Sequence, residues 1–235
     1  MTTSRHVLIT GANRGLGLEF ARQLLARGDH VVATARQPGK AGALNALAGE
    51  HPGRLHVLPL EVTDARARDE LLRELPLAVG DARLDLLINN AGVLHAGERF
   101  GHLEAETLEH SFRTNAVAPV LLTQALAPHL ADGARVVNLS SRLGAIGLTT
   151  RFGTPSYAIS KAALNMATVQ LAQALAPRGI VAVAVSPGWV RTDMGGEHAE
   201  LTPDDAVSGL LERIDRLALA DTGSFFDQRG APIPW

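Results

Sequence analysis

Short apolar runs, rich in β-branched residues, alternate along this chain with longer stretches whose apolar positions recur every three or four residues. The runs lie at 6–10, 30–35, 54–60, 84–88, 135–139 and 180–185, and their length and composition predict buried strands. Helical periodicity fills the gaps. It opens at Leu18 with Phe20, Ala21, Leu24 and Leu25, and resumes after Thr63 or Asp64, either of which can cap a helix running to about Ala78. It returns from Glu104 to His129 and from Tyr157 to Ala176, and Thr202 followed by Pro203 marks a last helix start. Strand and helix in strict alternation predict an α/β fold of the Rossmann type: a doubly wound, mostly parallel sheet with helices on both faces. No linker, repeat or low-complexity stretch interrupts the pattern, so residues 1–235 read as a single domain.

Polar and glycine-rich clusters are not scattered over this pattern; they follow the strands. Gly11 to Gly17 follows the first, Arg36 the second, Glu61 and Val62 the third, Asn89 to Gly92 the fourth, Ser140 and Ser141 the fifth, and Ser186 to Thr192 the sixth. In an open parallel sheet the carboxyl ends of the strands are where ligands bind. A glycine turn between a strand and a helix lets backbone approach a ligand, and the helix N-terminus offers unpaired N–H groups to a phosphate. After the second strand no carboxylate occupies Thr34, Ala35 or Arg36, where an acid would hold a ribose 2′-hydroxyl. Arg36, with Arg14 from the glycine turn, suits a 2′-phosphate instead, and NADP(H) is expected over NAD.

Tyr157 and Lys161 are four apart at the start of a helical pattern, which puts both on one face. A lysine ammonium beside a phenol is expected to lower its pKa toward the range useful for acid–base catalysis, and a serine hydroxyl aimed at the same point can hold a carbonyl oxygen. Composition narrows the alternatives. The chain is 46% hydrophobic and 20% charged with a net charge of −2, which gives no electrostatic case for nucleic acid or an anionic membrane. It has no cysteine, which excludes disulfides and thiolate chemistry, and its nine histidines show no metal-ligand spacing, so no metal is expected. No apolar run approaches a membrane span, and Met1 leads through Thr2 and Thr3 into the first strand without a signal-peptide core; a cytoplasmic protein is expected.

These residues together resemble the short-chain dehydrogenase/reductase family over essentially the whole chain. The resemblance is carried by Thr10-Gly-Ala-Asn-Arg-Gly-Leu-Gly17, Asn89-Asn-Ala-Gly92, Asn115, Asn138-Leu-Ser-Ser141, Tyr157-Ala-Ile-Ser-Lys161 and Ser186-Pro-Gly-Trp-Val-Arg-Thr192. It implies a tetrad of Asn115, Ser141, Tyr157 and Lys161: Tyr157 as acid or base, Lys161 tuning it and holding the nicotinamide ribose, Ser141 orienting the substrate oxygen, and Asn115 keeping a relay water through a helix kink. Cofactor contacts are implied at Gly11, Asn13, Arg14, Gly15, Leu16, Gly17, Arg36, Glu61, Val62, Asn90, Ala91, Gly92, Tyr157, Lys161, Pro187, Gly188, Val190 and Thr192. Within the family, Ser186 to Gly196 and the tail from Gly223 to Trp235 are similar to the C-factor and sniffer-type carbonyl reductases, which implies NADPH-linked reduction of an aldehyde or ketone. A cofactor-binding signalling protein of the C-factor type is the alternative. Family habit implies a homodimer or homotetramer through the helices bearing Asn115 and Tyr157. Ser141 and Tyr157 are 16 positions apart, so a bulged loop is expected between them, and whether Ser140 or Ser141 faces the substrate stays open, with Ser141 preferred. The segment between Thr192 and Thr202 is short, and little lid is expected.

Overall fold

The computed structural model describes residues 4–235; Met1–Thr3, which carry the start of the reading at the N-terminus, lie outside the described residues. Seven strands form one sheet, all parallel. They are β1 (His6–Ile9), β2 (His30–Ala35), β3 (Leu55–Pro59), β4 (Leu84–Asn89), β5 (Leu130–Leu139), β6 (Val181–Ser186) and β7 (Phe225–Asp227), in the order β3-β2-β1-β4-β5-β6-β7. The order reverses direction between β1 and β4, the switch point at which a doubly wound sheet opens a crevice. The helices are α1 (Gly15–Ala26), α2 (Gly42–Glu50), α3 (Ala65–Val79), α4 (Ala105–Phe112), α5 (Ala118–Leu126), α6 (Pro155–Leu175) and α7 (Pro203–Asp215). The expected single-domain Rossmann fold is therefore the observed one.

Each strand divides its side chains between two cores, as its twofold period requires. From β1, Val7 and Ile9 join Phe20, Leu24, Val207 and Leu210 of α1 and α7, while Leu8 faces Leu71, Leu122 and Leu175 of α3, α5 and α6. The helix caps follow local chemistry. Asp64, not Thr63, caps α3 by accepting from the Arg66 N–H at 2.8 Å, and the Thr202 hydroxyl accepts from the Asp205 N–H at 3.0 Å to cap α7. Among the described residues no helix is long and apolar enough to cross a membrane.

Three features depart from the expected elements. Helix α2 was not marked by periodicity, because its segment has two glycines and little contrast between its faces. Strand β5 begins at Leu130, five residues early; Leu84 pairs with Leu130 but Leu86 with Arg135, so Ala131–Ala134, which include a turn-like Asp132-Gly133, are looped out of register. Strand β7 is only three residues long, too short to show alternation.

The stretch expected as one helix from Glu104 to His129 contains a π-helical turn, Arg113–Val117, between α4 and α5. Pro119 stands four residues after Asn115 and has no N–H to return to the Asn115 carbonyl, a direct reason for the helix to depart from α geometry there.

A buried polar chain links the middle of the sheet to the helices. The Asn89 amide donates to the Thr123 hydroxyl at 3.1 Å and to Asn138 Oδ1 at 2.8 Å, and the Asn138 amide donates to the Thr168 hydroxyl at 2.9 Å. Removing the central member strands buried partners on both sides. Asn138→Ala is expected to lower the free energy of unfolding by about 2–4 kcal/mol. Urea denaturation checks this; a midpoint unchanged from wild type would show that the chain of amides is energetically idle.

Candidate active site

The carboxyl ends of the strands open into one cleft of about 910 Å³. At its centre lies the turn between β1 and α1, where Gly11, Asn13, Arg14, Gly15 and Leu16 form the surface. Helix α1 begins at an extended Arg14 whose side chain makes no capping bond, and its first turn has no acidic residue. Its leading N–H groups are thus left without a side-chain partner at the wall of the cleft, the arrangement that receives an anion.

The turn is fixed from the β4 side. The Thr10 hydroxyl accepts from the Asn90 and Ala91 N–H groups, both at 3.0 Å, and the Asn90 amide donates back to the Thr10 carbonyl at 2.8 Å and the Gly11 carbonyl at 3.0 Å. Asn90 therefore lines the cleft but commits its side chain to the glycine turn. Gly17 does not reach the cleft: a Cβ there would lie 2.4 Å from the Gly11 carbonyl and 2.5 Å from the Asn90 amide, so its smallness is a packing requirement. Ala91 and Gly92 complete this wall.

Beyond β2 and β3 the cleft is lined by Arg36, Gln37 and Lys40 and by Glu61, Val62 and Thr63. Glu61 folds back on its own turn, accepting from the Thr63 N–H at 3.2 Å and hydroxyl at 3.0 Å, and the Val62 carbonyl is taken by Arg68 at 3.0 Å. Lys40 was not anticipated from the sequence; it lies four residues past Arg36, where a second basic residue could have been noticed.

At the other end, α6 carries Tyr157 and Lys161, 8% and 4% exposed, side by side. The Lys161 ammonium donates to the Leu139 carbonyl at 2.7 Å and sits 5.4 Å from the Tyr157 ring centroid. Burial pushes the phenol up to about 12, with the Ser141 hydroxyl pulling the other way. Burial also pushes the lysine down to about 8. Desolvation, not the expected depression by the ammonium, thus sets the direction for the phenol, and Tyr157 is a protonated acid at neutral pH.

The two serines diverge. Ser140 turns inward, 2% exposed, and donates to Asn165 Oδ1 at 2.5 Å; Ser141 turns to Tyr157 and accepts from the Leu143 N–H at 3.2 Å. Asn165, on the same face of α6 as Tyr157 and Lys161, also donates to the Gly144 carbonyl at 3.1 Å. Gly144 packs so tightly on α6 that a Cβ would lie 2.7 Å from the Lys161 backbone. The bulge between Ser141 and Tyr157 takes the form of two short 3-10 turns, Arg142–Gly144 and Ile146–Leu148. The start of α6 follows a left-handed Thr154, and Glu98 caps it by accepting from the Ser156 hydroxyl at 2.9 Å.

Asn115 is fully buried behind this site. Its amide oxygen accepts from the Val93 N–H at 2.8 Å, and its nitrogen donates to the Val93 carbonyl at 2.8 Å and the Ser160 hydroxyl at 2.9 Å. Its side chain is therefore used in tying the π turn to the segment after β4 and to α6. Val93, His110 and Thr114, none of them singled out in the sequence, form the adjoining wall.

After β6, Pro187, Thr192, Asp193 and Met194 line the cleft, whereas Gly188 and Val190 do not. Val190 is buried in a bridge to Leu201, and Gly188 lies where a Cβ would meet the Leu201 side chain at 2.6 Å. Arg14, expected at a 2′-phosphate, is ion-paired with Asp193.

A doubly wound fold with a glycine turn, an uncapped helix start and a buried tyrosine–lysine pair defines a dinucleotide-dependent type of site. The family model for short chain dehydrogenases matches residues 5–202, and the chain belongs to that family. It is 42% identical over 154 residues to C-signal of Myxococcus xanthus, covering 65% of this chain and 93% of that protein. The NADPH-bound carbonyl reductase from chicken fatty liver superposes with a TM-score of 0.94 at 37% identity, with 99% of each chain covered. Carbonyl reductase Sniffer of D. melanogaster gives 0.95 at 33%, covering 99% of this chain and 100% of that one.

The buried lysine has a measurable cost to the fold. Below pH 8 it is charged in both states and the desolvation penalty is complete; between 8 and 10.5 the unfolded chain alone keeps the proton, so its contribution to stability rises with pH. Tyr157 acts oppositely, but only above pH 10. From pH 8 to pH 10 stability is expected to rise by about 2–3 kcal/mol through Lys161. Lys161→Met should abolish this rise and be the more stable protein at neutral pH. Urea titrations of both proteins across that range decide it, and a Lys161→Met variant less stable at neutral pH would reverse the assignment.

Proposed function

We propose that this protein is an NADP(H)-dependent reductase of aldehydes or ketones. The observation that carries the proposal is the pairing of Tyr157 with Lys161 at one end of a cleft whose other end presents Arg36 and Lys40; Ser140 lines that cleft, and Ser141, which does not, reaches the site through its hydrogen bond to the phenol. The fit of a dinucleotide is supported by the uncapped start of α1, which suits a diphosphate, and by the basic pair after β2, which suits a 2′-phosphate. The NADPH bound by the chicken reductase supports the same assignment.

NADPH would be held by the turn at Gly11–Leu16, by Lys161 and by Thr192, and when bound it supplies the hydride that reduces the carbonyl carbon. The protein supplies the proton and the charge. The Ser141 hydroxyl donates to the substrate oxygen and orients it toward Tyr157. Tyr157 gives its phenolic proton to that oxygen as negative charge develops there, and the ammonium of Lys161 stabilises the phenolate left behind. Asn115 and Asn165 hold the elements that carry these groups. The face formed by α4 and α6 exposes Phe112, Ile159 and Met166, which supports a homodimer through these helices.

A second reading, a nucleotide-binding signalling protein with little turnover, draws on the similarity to C-signal. One experiment separates them: consumption of NADPH with a panel of aldehydes, quinones and diketones, beside fluorescence titration of NADPH binding. Turnover is expected, and Tyr157→Phe should lower it by about 100-fold or more while binding persists. The rate of reduction should fall as pH rises through about 8, where Lys161 loses the charge that stabilises the phenolate. Tight binding without turnover of any compound would favour the signalling reading.

A further inference from the structure

Ser141 caps the 3-10 turn Arg142–Gly144. Its hydroxyl accepts from the Leu143 N–H at 3.2 Å, and its carbonyl accepts from the Gly144 N–H at 2.9 Å. With an oxygen lone pair taken by that N–H, the hydroxyl proton is left to donate toward the site. Asn165 on α6 and Ser186 at the end of β6, which accepts from the Arg142 N–H at 3.3 Å, hold the near side of this turn. Beyond it, residues 146–153 are all exposed, and the three-residue turn Ile146–Leu148 has too few hydrogen bonds to be rigid alone.

The far side is held by a segment remote in sequence. After β7, Asp227 reverses the chain: its carboxylate accepts from the Arg229 N–H at 3.0 Å and the Ala231 N–H at 2.9 Å, and Gly230 supplies a positive φ. Residues 231–235 then run back against β7. Phe226 and Pro232 form an antiparallel bridge, and the Ile233 N–H donates to the Phe225 carbonyl at 2.8 Å. Two contacts pass from this segment to the serine turn. Ala145, the residue after that turn, is fully buried in a small core with Ala184, Phe225 and Ile233. The Gly147 N–H donates to the Trp235 backbone oxygen at 3.1 Å. Trp235 is itself held by stacking on Phe225, with centroids 5.5 Å apart and planes 21° from parallel.

We propose that Ile233 and Trp235 are positioning residues for the reduction: they hold the serine turn against α6 and so keep the Ser141 hydroxyl aimed at Tyr157. The proposal rests on the reductase reading above. Covering the exposed edge of β7 accounts for a segment lying along that strand, but not for its contacts with the loop that follows Ser141. Neither residue lines the cleft, so nucleotide affinity lies outside their reach. Trp235 is 44% exposed, so replacing it leaves the fold intact.

The test is a double-mutant cycle on kcat, with the best carbonyl of the panel, beside titration of NADPH binding. Trp235→Ala should lower kcat by about tenfold, because a displaced orienting group costs rate steeply, and leave the NADPH dissociation constant unchanged. Trp235→Phe, which keeps a ring on Phe225, should stay within about twofold of wild type. Ile233→Val, a milder change beneath Ala145, should follow the pattern of Trp235→Ala on a smaller scale. In a Ser141→Ala background Trp235→Ala should cost less than about twofold, since a brace that acts through Ser141 has nothing left to place. Hydrogen exchange reads the brace without turnover: in Trp235→Ala residues 142–148 should exchange faster, while β1 and α1 do not. Full activity of Trp235→Ala, an undiminished loss in the Ser141→Ala background, or unchanged exchange at 142–148 overturns the proposal. Wild-type protein that binds NADPH and reduces no carbonyl would instead overturn the reductase reading, and the catalytic role of the brace with it.

Discussion

A lysine ammonium held almost out of water, with the Leu139 carbonyl at 2.7 Å as its hydrogen-bond partner among the described residues, is the constraint around which this structure is arranged. Such a group is unfavourable to bury unless it is paired, and a single carbonyl does not neutralise it. The fold must therefore hold Lys161 in place by everything around it: the end of β5 supplies the carbonyl, and Gly144 lets the following turn press on the lysine backbone. Burial that weakens the fold at this point is what gives the ammonium its strength on a neighbouring phenolate, because low polarity magnifies the interaction.

Helix α6 converts that constraint into geometry. Tyr157, Lys161 and Asn165 repeat every four residues along one face, so a single rigid element sets the phenol, the ammonium and the amide that braces the serine turn. Asn165 grips the turn on both sides of Ser141, through Ser140 and through Gly144. Ser141 is then left to point at Tyr157. The helix start is fixed in turn by Glu98, from the loop after β4. Preorganisation here means that each reacting group is placed by a neighbour that does not itself react.

Much of the fold was legible because the parallel sheet needs near-continuous apolar strands and helices of matching period, and both leave plain marks in composition. Strand-end clustering located the cleft for the same reason. What the sequence did not show were contacts between segments distant along the chain. Asn90 lines the cleft, but its side chain is spent bracing the glycine turn, and Gly17 lies out of the cleft where there is no room for a Cβ beneath that turn. Ser140 and Ser141 are adjacent and chemically identical, and it is their contacts, Ser140 with Asn165 and Ser141 with Tyr157 and Leu143, that separate their directions. The phenol was expected to titrate low because its charged neighbour could be seen in sequence, whereas its burial, the larger effect, could not.

Asn115 shows how a local signal and a distant one combine. Its neighbour Pro119 withholds the N–H that would close an α-helical turn on the Asn115 carbonyl, and that much can be read from spacing alone. The side chain's three hydrogen bonds, to Val93 above β4 and Ser160 on α6, cannot be read that way. Together they make the π turn a fixed joint between the sheet and the helix bearing Tyr157, not a loose bend in α4 and α5.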